Sequence, residues 1–442
     1  MRIVHVLGWY FPDSLGGTEV YVAALAKHLR DHGHEVFVAA PNSDCDRDYG
    51  YRHEGGEVFR YSIPKRPTRR EVQGRAPTRG ADRFHRWLER NKPDLVHCHS
   101  LVTGLGLEEL ERARALGARV IVTCHTPSLG FICQRGTMMR WGMDLCDGLA
   151  EPVKCASCAL VEGGLPQTVA KTVGGIPQGL SQLGALIPGR LGTAVGMRDL
   201  IRHNTHRQHR LLETVDAFVV LTQWAWNTVA ANHGSERKLV LNRLGIDLNG
   251  VRKRNIERPI GVPVRLGYVG RFHATKGIFV LAEALSQLPR NLPFSLELRG
   301  PTLSNEDRAT QQKLEAMMGK DSRVRFAPAV EHKDVGRVLA EYDVLLCPST
   351  WLEGGPTVAM EAQAVGTPVV GSRIGGLAEI VEDHVNGRLV PAGNAIALAA
   401  AIAEVAEHPE MVEQWRGRLP TPRTMNDVAL DYLNLYEACL PN

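Results

Sequence analysis

The sequence predicts an α/β fold built as two doubly wound domains, and three observations lead there. Short apolar strands alternate with amphipathic helices along both halves of the chain. At 442 residues the chain is too long for one typical domain. A segment mixing charges with Gly and Pro, Arg243 to Pro263, separates the two alternations and reads as a linker. The expected division is residues 1–245, a linker over 246–263, a second domain over 264–424 and a last helix within 425–442.

The elements follow in order. Arg2 to Leu7 is a strand, and Gly16-Gly17-Thr18-Glu19 opens a helix with apolar Val20, Ala23, Ala24, Ala26 and Leu29. Gly33 ends that helix, and Glu35 to Ala39 is the next strand. Asp94 to Cys98, a helix near Leu105 to Leu116 and Arg119 to Cys124 continue the pattern. After a long insertion come strand Ala217 to Leu221, helix Trp224 to His233 and strand Lys238 to Asn242. The second half repeats it with strands at Val264 to Val269, Phe294 to Arg299, Val324 to Phe326, Asp343 to Cys347 and Pro368 to Gly371. Such spacing implies parallel sheets, which place ligands at the carboxyl ends of their strands.

Composition excludes several classes. Hydrophobic content of 44% with 23% charged residues is ordinary for a soluble globular protein, and a net charge of +4 gives no reason to expect nucleic acid. The start, MRIVHVLGWYF, reads as a buried strand rather than a signal peptide. The uncharged run Thr172 to Gly189 approaches the length of a membrane span, but Pro177, Pro188 and five glycines argue against a transmembrane helix. A cytosolic enzyme is therefore expected, in which nine cysteines point to metal before disulfides.

The most informative stretch runs from Tyr342 to Glu382. It reads as strand, loop, a helix near Gly355 to Val365, strand, and a second loop and helix. Gly354 and Gly355 let the backbone approach a ligand, and the first-turn N–H groups favour an anion. Glu353 precedes the helix and Glu361 lies about two turns inside it. Acidic residues also stabilise any helix start, which is the competing use. Glu353, Glu361, Ala362, Gly366, Pro368, Val369 and Val370 together resemble the signature of glycosyltransferase family 4. That resemblance implies retaining, nucleotide-sugar-dependent enzymes of the GT-B fold, two Rossmann-like domains facing each other across a cleft.

What the resemblance implies for single residues can be stated by position. Gly270-Arg271 follows a strand, and Lys276-Gly277 stands at the next helix start. Arg271 and Lys276 are expected to neutralise the departing diphosphate, so no catalytic metal is expected. Glu353 is expected on the donor sugar and Glu361 on the ribose, with Gly354, Gly355, Pro356 and Thr357 near the diphosphate or sugar. Gly16 and Gly17 are expected to approach the diphosphate from the first domain; a tight turn needing positive φ is their alternative use. They do not form a dinucleotide fingerprint, since no G-x-G-x-x-G occurs there. His125, closing the strand VIVTCH, is expected near the transferred sugar. The last helix is expected to return to the first domain, as in many relatives.

The insertion departs from the minimal family pattern. Over residues 126–165 it carries Cys133, Cys146 and a C-x-x-C pair, Cys155 and Cys158, which suit a structural zinc. Free thiols, a redox pair or an iron–sulfur cluster are the alternatives. The loop shows no evident secondary structure, and Met138, Met139 and Trp141 are candidates for lining an acceptor pocket. From Arg60 to Lys92 there are eleven basic and three acidic residues, a stretch suited to phospholipid headgroups, a lipid pyrophosphate or plain solvation. The Gly- and Leu-rich stretch Gly174 to Leu191 suits a membrane interface or internal packing, and Arg198 to Arg210 reads as a His- and Arg-rich helix start, either solvated or facing the acceptor.

The expected activity is transfer of a sugar from a UDP- or GDP-sugar to a hydroxyl of a glycan or lipid-linked acceptor, in the cytoplasm at the inner face of a membrane, with peripheral membrane contact and no nucleic acid. A GT-B epimerase or hydrolase, and a catalytically silent protein binding through a zinc loop, are the competing readings.

Overall fold

In the computed structural model, residues 1–13, 16–142, 144–233, 236–247, 261–302 and 304–440 are described. The chain divides into two units, Met1–Arg243 with Met425–Asn442, and Leu244–Thr424. Most of the expected linker lies outside the described residues.

In the first unit the strands are β1 (Arg2–Val6), β2 (Glu35–Asn42), β3 (Tyr49–His53), β4 (Gly56–Ser62), β5 (Leu95–Cys98), β6 (Arg119–Cys124), β7 (Met139–Arg140), β8 (Asp144–Leu145), β9 (Ala217–Val220) and β10 (Leu239–Leu241). Eight of them form one sheet in the order β10-β9-β6-β5-β1-β2-β4-β3. It is parallel except for β3, which pairs antiparallel with β4. Central strands β5 and β9 are buried along their whole length, as expected where helices cover both faces. Helix Gly17–Asp31 buries Tyr21, Val22, Leu25, Ala26 and Leu29 at helical spacing. The C-terminal helix Met425–Cys439 packs on it, with the Tyr21 and Tyr432 hydroxyls 3.3 Å apart.

The second unit holds β11 (Val264–Val269), β12 (Phe294–Arg299), β13 (Val324–Ala327), β14 (Val344–Cys347), β15 (Val369–Ser372) and β16 (Gly387–Val390). Its sheet is parallel throughout, in the order β13-β12-β11-β14-β15-β16. The crossover that sets β14 beside β11 aligns their carboxyl ends, and the site below depends on it.

Two expectations are corrected. The insertion between β6 and β9 is largely helical: Pro152–Glu162, Gln167–Gly174, Gln178–Gln182, Gly189–Val195 and Met197–Thr214. Its helices pack through small side chains, Ala156, Ala159 and Ala170 with Leu160, Met197, Leu200 and Ile201, so their apolar period is faint in the sequence. Met197–Thr214 is accordingly no solvated start, since Leu200, Ile201, Asn204, Gln208 and Leu211 are buried. The basic stretch has regular structure as well. It includes the end of β4 and helices Arg69–Val72 and Ala81–Asn91, the latter burying Phe84 and Leu88. Among the described residues no helix is long and apolar enough to cross a membrane.

Candidate active site

In the second unit the loops after β11 and β14 are strapped together. Thr350 donates its backbone N–H to the Thr275 carbonyl at 2.9 Å. Gly277 sits at φ +70°, and a Cβ there would lie 1.7 Å from the Pro348 carbonyl oxygen, so only glycine permits this approach. The strap brings Lys276 to Glu353, with Nζ 2.9 Å from Oε1. The same oxygen accepts from Ser349 Oγ at 2.6 Å and from Trp351 Nε1 at 3.2 Å. Three donors thus fix one carboxylate oxygen, while Oε2 has no hydrogen-bond partner among the described residues.

Arg271, just past β11, reaches Asp307 through Nη2, at 3.1 and 3.3 Å from its two carboxylate oxygens. Asp307 is fully buried and also closes a capping box with Ser304. The guanidinium is about half exposed, at 48%, which leaves its other nitrogens accessible to a ligand. Both expected cations therefore rest on carboxylates. An incoming diphosphate would share those cations rather than meet them bare.

Glu353 continues into Gly354, Gly355 and Pro356, and Pro356 caps helix Thr357–Ala364. Ala359 and Ala362 face the core, while Thr357 and Glu361, four residues apart, share another face of the helix. The loop after β15 closes over this junction. Gly376 donates to the Glu353 carbonyl at 2.9 Å, and a Cβ on Gly376 would come within 2.7 Å of Gly355 Cα. Sequence reading missed Ser349, Trp351, Asp307 and Gly376; only the R-I-G-G run offered a signal, as a paired glycine after a strand.

In the first unit, Gly16 and Gly17 begin helix Gly17–Asp31. Gly16 has φ −86°, so positive φ is not what requires glycine there. A Cβ on Gly16 would meet the Glu19 carboxylate at 2.4 Å, an oxygen at the end of a side chain that can turn aside. His125 follows β6 and ends a chain of imidazoles. Its Nε2 lies 3.0 Å from His99 Nδ1, and His99 Nε2 lies 2.9 Å from His5 Nδ1. His97 bonds the Tyr436 hydroxyl and Thr123 Oγ1, each at 2.7 Å, and Thr123 bonds the Tyr432 hydroxyl at 2.8 Å. Burial holds His5 and His125 down to about 3, and His97 and His99 well below the ordinary value, with neighbouring charges adding for all but His125. The rings are thus neutral at physiological pH. His5, His97 and His99 went unremarked in the sequence, although V-H-C-H on a buried strand was a visible oddity.

His5, His97 and His99 are also the one group of three or more metal-ligand side chains, among the described residues, whose ligand atoms lie within 4.8 Å of one another. The four insertion cysteines are free thiols and do not form such a group. Burial pushes Cys155 up to about 11, with Cys133 and Cys146 adding to the shift. Trp141 directs its backbone N–H at Cys158 Sγ, 3.4 Å away. Met138 and Met139 are buried, and the Trp141 ring faces Arg140 and Lys171. None of these three lines a cavity of about 520 Å³ in the first unit. That cavity is lined by Glu71, Glu108, Phe131, Gln134, Asn204 and Arg207, among others. Arg207 stacks 3.8 Å over Phe131, and burial lowers its pKa to about 10.

Two Rossmann-like units, with basic and acidic residues converging at strand carboxyl ends in the second, define a GT-B glycosyltransferase. Residues 15–147 match the model of Glycosyltransferase Family 4, and residues 253–418 that of Glycosyl transferases group 1. The chain belongs to the family 4 glycosyltransferases. It is 27% identical over 416 residues to a D-inositol 3-phosphate glycosyltransferase of Saccharomonospora viridis, covering 90% of this chain and 82% of that one. It is 31% identical over 222 residues to a putative colanic acid biosynthesis glycosyltransferase, WcaL, of Salmonella typhimurium, covering 48% of this chain and about half, 53%, of that one. Among solved structures, sucrose-phosphate synthase from Thermosynechococcus elongatus superposes with a TM-score of 0.66 at 19% identity, covering 99% of both chains. Anabaena HepE in complex with UDP superposes with a TM-score of 0.62 at 14% identity, covering 99% of this chain and 100% of that one.

Proposed function

We propose that this glycosyltransferase moves a sugar, with retention at the anomeric carbon, from a nucleoside diphosphate sugar to a hydroxyl of a glycan or lipid-linked acceptor in the cytoplasm. The observation that carries the reading is the Lys276–Glu353 pair at the strapped loops, with Arg271 at the end of the same strand β11. In the reaction the bond from the anomeric carbon to the phosphate oxygen breaks, and a bond to the acceptor oxygen forms on the same face. The acceptor proton passes to the departing phosphate oxygen. Arg271 and Lys276 hold the charge that develops on that phosphate, and the Glu353 carboxylate positions sugar hydroxyls through Oε2. Glu361 is the partner proposed for the ribose. His125, its ring fixed through His99, is proposed to contact the transferred sugar. HepE is named as a UDP and UDP-glucose complex, which favours a UDP-sugar here.

A thermal-shift screen of UDP-, GDP- and ADP-sugars tests the donor. One nucleotide class should raise the melting temperature by several degrees at a hundredfold excess over its Kd, about 2.7 kcal/mol of stabilisation. No shift with any of them would remove the nucleotide-sugar reading.

A structural zinc on Cys133, Cys146, Cys155 and Cys158 belongs to the same proposal, and it requires their sulfurs to draw closer together than they stand here. The Trp141 backbone N–H, directed at the Cys158 sulfur, is the kind of support that a metal thiolate receives. Elemental analysis should find about one zinc per chain. Substoichiometric metal with chelator-insensitive melting would exclude it.

A further inference from the structure

The basic segment after β4 and the leucine-rich part of the insertion are more than a hundred residues apart in sequence, yet they are bonded together in the first unit. Arg69 donates to the carbonyls of Gly184 at 3.2 Å, Ile187 at 3.0 Å and Gly192 at 2.7 Å. The segment so pinned, helices Gln178–Gln182 and Gly189–Val195 with the turn between them, packs inward through glycine backbone. A Cβ on Gly192 would lie 1.8 Å from the Ile187 carbonyl oxygen, and one on Gly184 would lie 2.3 Å from the Gly196 nitrogen. With glycine filling the interior, the leucines point outward. Leu180 is 56% exposed, Leu183 50%, Leu186 81% and Leu191 67%, a density of bare leucine that calls for a partner. Lys171 and Arg190 are exposed on the same insertion, and Lys65, Arg66, Arg70 and Val72 on the segment Arg69 anchors. From residue 163 to 198 there is not one acidic side chain.

We propose that this knuckle docks the first unit on an anionic bilayer surface. The leucines enter the boundary between headgroups and acyl chains, and the flanking lysines and arginines face lipid phosphates. The charge distribution selects a bilayer over a second copy of the chain. A twofold interface would set the same cations against each other with no carboxylate from this stretch to answer them. The proposal deepens the lipid-linked acceptor reading and depends on it for its purpose. Val72 and Thr193, from the two bonded segments, line the wall of the 520 Å³ cavity, so an acceptor headgroup has a receptacle beside the docking face.

Flotation of the full chain with vesicles tests this without donor or acceptor, so its outcome is independent of whether sugar transfer is observed. Wild type should float with phosphatidylcholine vesicles containing roughly one third phosphatidylglycerol, weakly with phosphatidylcholine alone, and less as salt rises. Leu186→Gln with Leu191→Gln should lower partitioning about tenfold or more, with melting unchanged because both side chains are exposed. Leu430→Gln, an exposed leucine on the C-terminal helix, should bind as wild type does. Wild type that ignores both vesicle types, or a double variant that floats equally well, overturns the proposal. So does a wild-type dimer in solution that the double substitution converts to monomer, which would make this face a protein interface.

Discussion

Alanine at Glu353 is expected to lower kcat about 100- to 1,000-fold while leaving the fold in place. The carboxylate is held by Lys276, Ser349 and Trp351 on one oxygen, so its other oxygen is presented in a fixed position. Fixed position is what a group acting on a reacting sugar contributes. Stability should change little, because Lys276 is 32% exposed and can turn to water when its partner is removed. The pairing adds a second readout. Lys276→Ala should also impair turnover, and the double variant should fall short of the product of the two losses, since the residues act through one contact. Steady-state kinetics on the three variants check this, and unchanged turnover in Glu353→Ala would remove the residue from the mechanism.

Mild acid is expected to destabilise the first unit strongly. His5, His97, His99 and His125 are held neutral by burial, with folded-state values lowered from 6.5. The sign follows from which state binds protons first. As pH falls below 6.5 the unfolded chain protonates these rings while the native chain does not, so stability is complete above that value. It is lost progressively toward about 3, where His5 and His125 titrate in the folded chain. At pH 5.5 the unfolded chain has taken up protons on rings that the folded chain keeps neutral, a loss on the order of several kcal/mol for the cluster, comparable to the whole stability of many domains. Denaturant melts at pH 7.5 and 5.5 should show this loss in the first unit, which holds all four rings. Equal midpoints at both pH values would contradict the neutral histidine chain.

The alternation of strands and helices was legible because strands such as Leu95–Cys98, Ala217–Val220 and Val344–Cys347 are short runs dominated by apolar side chains and bounded by Gly, Pro or charge. The Glu353 to Thr357 junction was legible because one turn and one helix start carry it. The contact between Lys276 and Glu353 was not, because 77 residues separate them and only the placement of β14 beside β11 brings them together. The histidine chain was hidden for the same reason: His5 and His97 meet through the register of β1 on β5. In the insertion, helices that pack through alanine, glycine and cysteine leave little periodicity to read. The leucines of the docking face were visible, but nothing in the sequence said that Arg69 would anchor them.

The proposed transfer requires cationic side chains at the carboxyl ends of the second sheet to grip a nucleotide's phosphates. Calorimetric titration of the best-binding nucleoside diphosphate into wild type and into the Arg271→Ala, Lys276→Ala double variant tests that directly. The expected result is binding to wild type and a loss of about 100-fold or more in a variant that still melts cooperatively, at a lower temperature because Asp307 has lost its guanidinium. Equal affinity for both proteins would mean that the phosphates are held elsewhere.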